Sequence, residues 1–305
     1  MPPVSFFIPA YNCAGTLAQT VVSICEGNLR DGDEVVIVND GSADDTANVI
    51  RSLQEQYGSI STFAHRHNRG GGAARNTAVE NARHDLLFCL DSDNVLASGT
   101  VAGLVVHLQD TGADVASFGE LHYFRERVAE TTHKWVFKSG QITLADYLAG
   151  WVVPGASGNY LFTRDSWLRG RGYPEFAGAL DAWGFGLRQV ATGQKVVVMP
   201  GSHYHHRYGH DSYWVRESRR GNTSLTALQL LIPFLDQLSV RDVDYIMSAR
   251  HRLVWFDHLE QRPLHVKSGE RGESGRSEGT AQAAQPGRGL TRRLAGALAR
   301  RLGMR

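Results

Sequence analysis

Two carboxylates one residue apart, Asp91 and Asp93, close an apolar run that reads Leu86-Leu87-Phe88-Cys89-Leu90. Such a run is the pattern of a strand buried on both faces, as in a parallel sheet. Ligands of open α/β sheets sit beyond the carboxyl ends of the strands, where these acids fall. Strict alternation would splay the two side chains, whereas a chain turning into a loop can bring both toward one divalent cation. Taken alone, the pair reads more simply as a strand end capped by solvated acids. A second stretch with chemistry in it is Ser202-His203-Tyr204-His205-His206-Arg207-Tyr208-Gly209-His210. Neutral imidazoles are common ligands for such cations. The third candidate is Asp181, the one acid between Phe176 and Lys195. From the residues alone it reads as the cap of a helix.

The elements that position these groups alternate in type. Val4–Pro9 predicts a strand, Thr16 to Glu26 a helix, Glu34–Asn39 a strand, and a helix capped by Asp44 or Asp45 runs to Tyr57. Ser59–Ala64 predicts a third strand, and a helix over Ala73–Arg83 returns the chain to the acid-tipped run. Strands alternating with helices of about a dozen residues imply βαβ units and a mostly parallel sheet. Further on, Val101–Gln109 predicts a helix, and Ala113–Phe118 and Lys195–Pro200 predict strands. Tyr123–Lys138 is polar and mixed.

Four stretches of the first part resemble the nucleotide-sugar glycosyltransferases of the GT-A fold, specifically family 2. They are Ile8-Pro9-Ala10-Tyr11-Asn12, Val38-Asn39-Asp40-Gly41-Ser42 through Thr46, Asn68-Arg69-Gly70 through Asn76, and Leu90-Asp91-Ser92-Asp93, in that order. The resemblance implies an α/β GT-A-type sheet, mostly parallel and flanked by helices, with a C-terminal helical extension. It implies a nucleotide-sugar site made of Pro9, Ala10, Tyr11, Asp40, Arg75, Asp91 and Ser92. Asp40 would accept a uracil N–H, or else form an Asx turn before Gly41. Arg75 would approach base or phosphate, and Asp91 the ribose or a metal-bound water. Asp93 would hold Mn2+ or Mg2+ against the diphosphate, with His206 completing the site and His205 or His210 as alternatives. Arg207 could also face the diphosphate. A dinucleotide-type phosphate cradle is not expected, since Gly-x-Gly-x-x-Gly is absent after the first strand.

In the acceptor half the resemblance loosens. Gly155 to Phe162 looks like a loop leading into a strand beneath the acceptor, and Gly172-Tyr173-Pro174-Glu175 like the turn before the family's catalytic helix. Many relatives carry Glu-Asp there, the Asp being the base. Here Asp181 stands at the Glu position and Ala182 at the Asp position. An inverting transfer needs one base near the acceptor hydroxyl. Asp181 is assigned to it, with Glu175 in reserve.

The expected organisation is a transferase domain over 1–210, with donor half 1–95 and acceptor half 96–210. A helical extension over 211–261 follows, in which Trp214 is a sugar-stacking or a core aromatic. Residues 262–288, rich in Ser, Gly, Glu, Arg and Gln, read as a disordered linker. Gly289–Arg305 carries Leu290, Leu294, Leu298 and Leu302 on one stripe among arginines. It reads as a basic amphipathic helix for an anionic membrane surface, or as an unstructured basic tail. The net charge is +1, and the six arginines after Glu278 leave the preceding residues at −5, so bulk charge points to no nucleic acid. Three cysteines make no disulfide framework and suit a reducing cytosol, and no signal peptide or membrane span is expected. The expected protein is cytoplasmic, at most peripheral to a membrane. Its expected partners are a nucleotide-sugar donor, with a UDP-sugar foremost, and a glycan or lipid-linked acceptor. The rivals are a nucleotide-sugar binder without turnover and a sugar nucleotidyltransferase.

Overall fold

The computed structural model describes residues 1–148, 153–209, 213 and 222–238. Strands β1 (Val4–Ala10), β2 (Glu34–Asn39), β3 (Ile60–Ala64) and β4 (Leu86–Cys89) alternate with helices α1 (Leu17–Cys25), α2 (Thr46–Gln56) and α3 (Gly71–Asn81). Parallel ladders join β3 to β2, β2 to β1 and β1 to β4. The residues explain the arrangement. Val35 to Val38 and Leu87 to Cys89 are 0% exposed, so both faces of these strands are covered, and α3 packs on β1 and β2.

The second half adds α4 (Thr100–Thr111), β5 (Val115–Phe124), β6 (His133–Val136), β7 (Gly140–Ile142), α5 (Leu144–Leu148), β8 (Leu161–Thr163), α6 (Arg164–Arg169), α7 (Asp181–Ala191) and β9 (Val196–Arg207). One nine-stranded sheet results, in the order β3-β2-β1-β4-β8-β5-β9-β7, with β6 on β5. It is mostly parallel: β6, β7 and β8 run against the other six strands. The expected donor and acceptor halves are therefore one continuous sheet, joined where β4 pairs with β8.

Three elements differ from expectation. Helix α3 begins at Gly71 rather than Ala73, so the glycines form its first turn. The polar Tyr123–Lys138 stretch contains β6, hairpinned onto β5. The histidine run is no loop, because β9 continues through it to Arg207 after a bulge near Gly119. Paired residues share a face. Tyr204 and His206 therefore lie with Leu121 and Tyr123, and His203 and His205 with Glu120 and His122 on the other face. Stacking of His122 on His203, 3.8 Å between centroids, helps keep so polar a run in the strand.

Helix α8 (Asn222–Leu231) and the 3-10 turn Ile232–Gln237 fall within the expected helical extension over 211–261, and α8 packs on the 3-10 turn Glu175–Leu180. Apart from Tyr213, the segment Asp211–Arg220 with Trp214 lies outside the described residues, as do Val240–Glu260, the 262–288 linker and the Gly289–Arg305 tail. Among the described residues no helix is long and apolar enough to cross a membrane.

Candidate active site

The centre of the site is Arg75, on the first turns of α3. Gly70, at φ 96°, turns the chain into the helix, and Gly71 lets it pass close to the guanidinium. A Cβ at Gly71 would lie 2.7 Å from Arg75 Nη1 and 2.8 Å from Asp181 Oδ2. Arg75 is a fork. Its Nη2 donates to Asp91 Oδ1 at 2.6 Å, beyond β4, and its Nη1 to Asp181 Oδ2 at 2.5 Å, at the start of α7. Tyr173 presents its ring 5.7 Å from the guanidinium carbon. Burial works against the cation, but Asp181 and then Asp91 hold its pKa well above the ordinary arginine value.

Asp181 is 4% exposed, and its second oxygen, Oδ1, accepts the Ala182 N–H at 2.7 Å. Burial pushes its carboxyl pKa up, with Arg75 pulling the other way. Each oxygen thus accepts one hydrogen bond and keeps a second lone pair, and the charge of Arg75 beside it lowers its basicity. Asp91 is held from the other side by Asn159, which accepts its N–H at 2.7 Å and donates to its Oδ2 at 3.0 Å. Glu175 is half-exposed, with Asn76 Nδ2 at 3.2 Å and Arg69 Nη2 at 3.5 Å.

Beyond β1 and β2, two loops are stitched together. Asn12, left-handed at φ 48°, donates its N–H to Ser42 Oγ and accepts the Ala43 N–H. Ala10 is buried and Pro9 half-buried, while Tyr11 is 38% exposed at the rim of these loops. Asp40 is 1% exposed and accepts the N–H groups of Arg69 at 2.9 Å and Gly70 at 2.8 Å, with Asn68 Nδ2 at 2.9 Å and His65 Nδ1 at 2.6 Å. Its carboxylate is filled by the loop that leads into α3, which is more than the expected Asx turn and leaves no lone pair for a uracil N–H.

The loop after β4 is also braced. Ser92 C=O accepts Thr16 Oγ1–H at 2.9 Å, and Asp93 C=O accepts Arg207 Nε–H at 3.1 Å. Arg207 also donates to Gln19 and to the Arg125 carbonyl, so it serves as a brace rather than facing a diphosphate. His206 lies on the Tyr204 face, 4.9 Å from the Tyr123 ring. His205 falls on the opposite face beside His122 and His203, its pKa lowered by burial to about 4. His210 lies outside the described residues. Among the described residues no three His, Cys, Asp or Glu side chains gather as a ready-made metal site.

Sequence reasoning missed Asn12, Asn68 and Asn159. A signal existed for Asn12, since asparagine tolerates the left-handed region; nothing local marks Asn159.

An acid-tipped, mostly parallel sheet with a mixed second half is a fold of the GT-A type. The chain belongs to glycosyl transferase family 2, whose family model matches residues 5–171, more than half of it. It is 41% identical over 103 residues to chondroitin synthase of Escherichia coli, covering 33% of this chain and 14% of that one. It is 27% identical over 151 residues to a GalNAc(5)-diNAcBac-PP-undecaprenol beta-1,3-glucosyltransferase of Campylobacter jejuni, covering 48% of each chain. The alignments thus span less than half the length of the curated relatives. Among solved structures, residues 1–349 of S. aureus TarS in complex with UDP-GlcNAc share the fold, with a TM-score of 0.58 at 17% identity over 85% of this chain and 80% of that one. The mannosyltransferase PcManGT from Pyrobaculum calidifontis, with GDP-Man and Mn2+, does so with a TM-score of 0.56 at 17% identity over 99% of this chain and 75% of that one.

Proposed function

We propose that this chain transfers a sugar from a nucleotide-diphosphate donor, a UDP-sugar foremost, to a hydroxyl of a glycan or lipid-linked acceptor, with inversion and with Mn2+ or Mg2+. The observation that carries this is the Arg75 fork, which ties Asp91, just beyond β4, to Asp181 at the start of α7. Asp40 acts on the donor through the loop it organises rather than by touching the base. Tyr11 and Ala10 line the base side, and Asp91 with Ser92 faces the ribose.

Asp93 and His206 would hold the cation. The donor set fits: Mg2+ sites usually combine one or two carboxylates with substrate phosphates and waters rather than an all-protein cage. When bound, the cation neutralises charge on the leaving nucleoside diphosphate. Arg75 is drawn toward the incoming diphosphate, since a guanidinium pairs with phosphate as readily as with carboxylate. That releases Asp181, whose burial-raised pKa suits it to take the acceptor proton.

The ion pair of Asp181 with Arg75, together with Ala182, favours a second reading, a protein that binds nucleotide-sugars without transferring them. The deciding experiment measures nucleoside diphosphate release across UDP-, GDP- and dTDP-sugars, with Mn2+ and with EDTA. Metal-dependent release from one donor supports transfer. Donor binding without release, awakened by Ala182→Asp, establishes the second reading, and binding to no donor refutes both. A cytoplasmic setting and membrane contact through Gly289–Arg305 belong to the same proposal, tested by sedimentation with anionic vesicles.

A further inference from the structure

Asp91 owes little of its orientation to its own strand. One carboxylate oxygen is fixed by Arg75 and the other by Asn159, a residue on the acceptor side of the sheet that is 0% exposed. The Asn159 amide engages Asp91 twice: its Oδ1 accepts the Asp91 N–H at 2.7 Å, and its Nδ2 donates to Asp91 Oδ2 at 3.0 Å. Only one orientation of the amide serves both bonds, because the flipped form would set NH2 against N–H. Its Nδ2 is held in turn by the Ser157 carbonyl at 2.6 Å and the Tyr204 hydroxyl at 3.2 Å. Gly158 makes the approach possible: at φ 75° it turns the chain so that Asn159 faces β4. The Asn159 amide therefore gathers Ser157, Tyr204 of β9 and Asp91 beyond β4.

We propose that Asn159 is a positioning residue for Asp91, holding the carboxylate in one orientation before the donor arrives. This rests on the reading of Asp91 as a donor-site acid. Where such supporting groups stand behind metal ligands they contribute ~10–100-fold in affinity or activity, and a similar scale is expected behind a donor-site acid. A side chain that merely filled space would be replaceable by one of equal size whatever its charge.

The test compares the full-length wild type with Asn159→Ala and Asn159→Asp, measuring melting temperature, UDP affinity with Mn2+, and turnover of the donor found in the panel, between pH 5 and 8. Asn159→Ala is expected to lower turnover ~10–100-fold and to weaken UDP binding. Asn159→Asp keeps the volume and the acceptor for the Asp91 N–H, but sets a second carboxylate against Asp91 Oδ2, next to Arg75 and the Tyr204 hydroxyl. Its turnover relative to wild type should be lowest near pH 8 and recover toward pH 5, where the introduced carboxyl regains a proton to donate. A folded Asn159→Ala variant with wild-type turnover and UDP affinity overturns the proposal. So does an Asn159→Asp deficit that is flat with pH. A wild type that binds no UDP with Mn2+ and turns over no donor overturns the donor reading and this inference together, whereas the first two results overturn this inference alone.

Discussion

Replacing Asp181 by asparagine separates its two possible roles, because it removes charge and basicity at almost constant volume. In the folded chain Asp181 accepts from Arg75 Nη1 and from the Ala182 N–H. An amide has one carbonyl oxygen, so it can serve only one of these donors and turns its NH2 toward the other. Removing one partner of a buried ion pair costs ~3–5 kcal/mol, and the lower end applies because Arg75 keeps Asp91. For a domain of this size ~3 kcal/mol corresponds to a fall of ~6–12 °C in melting temperature. The kinetic effect is separate. A lost general base lowers turnover ~10²–10⁴-fold, equivalent to ~2.7–5.4 kcal/mol of barrier. Donor affinity, measured by calorimetry well below the melting temperature, should hold or rise, since Arg75 is freed for the diphosphate. A folded Asp181→Asn chain that keeps more than a tenth of wild-type turnover is not missing its base. A variant that loses donor affinity in step with turnover shows Asp181 to be an anchor for Arg75 only.

Other perturbations test the surroundings. Gly71→Ala puts a methyl 2.7 Å from Arg75 Nη1 and 2.8 Å from Asp181 Oδ2, so the fork opens; donor binding in calorimetry and the melting temperature should both fall. Asp40→Asn turns an NH2 toward donors of the 65–70 loop and should cost ~1–3 kcal/mol per donor left unpaired in urea denaturation, with a raised donor KM. His205, packed against His203 and His122 with Glu120 and Lys134 nearby, has a folded pKa of about 4, below its ordinary 6.5. Its contribution to stability is therefore complete above pH 6.5 and is lost as pH falls through 4; the slope of melting temperature over that window should flatten in His205→Gln.

The strands of the donor half were legible because burial on both faces leaves an unbroken apolar run, as in Val35 to Val38 and Leu86 to Leu90. Arg75, Asp91 and Asp181 were each readable as candidates, but not as partners. Arg75 and Asp181 stand 106 positions apart, and only the packing of α3 against α7 and the turn before it makes them neighbours. The course of β9 through the histidines was hidden because imidazoles carry no apolar alternation, although Tyr204 is fully buried and His205 half-buried. The start of α3 was misplaced because Gly71 and Gly72 look like loop residues, yet what they provide is close approach to Asp181. Asp40 looked like a ligand-facing acid; its four donors all come from a loop more than twenty residues away.

The charges in this site bear on the need for a cation. Asp91 and Asp181 share one guanidinium, so the fork and its two acids carry a net −1 before any donor arrives, and Asp93 follows two residues later. A diphosphate entering there meets carboxylates on both sides and one arginine already committed to two of them. Arg75 alone cannot compensate it: each contact it makes with phosphate is taken from Asp91 or Asp181, and an uncompensated buried carboxylate is costly. Lysine would serve worse still, since a single ammonium cannot span the two acids as the planar fork does. Electroneutrality therefore asks for positive charge that comes with the donor, on the Asp93 side of the loop. Under the proposed function, Arg75 shifting toward the phosphates and Asp181 losing its partner would be two views of one movement, and a cation held by Asp93 and His206 would supply the positive charge that it leaves wanting.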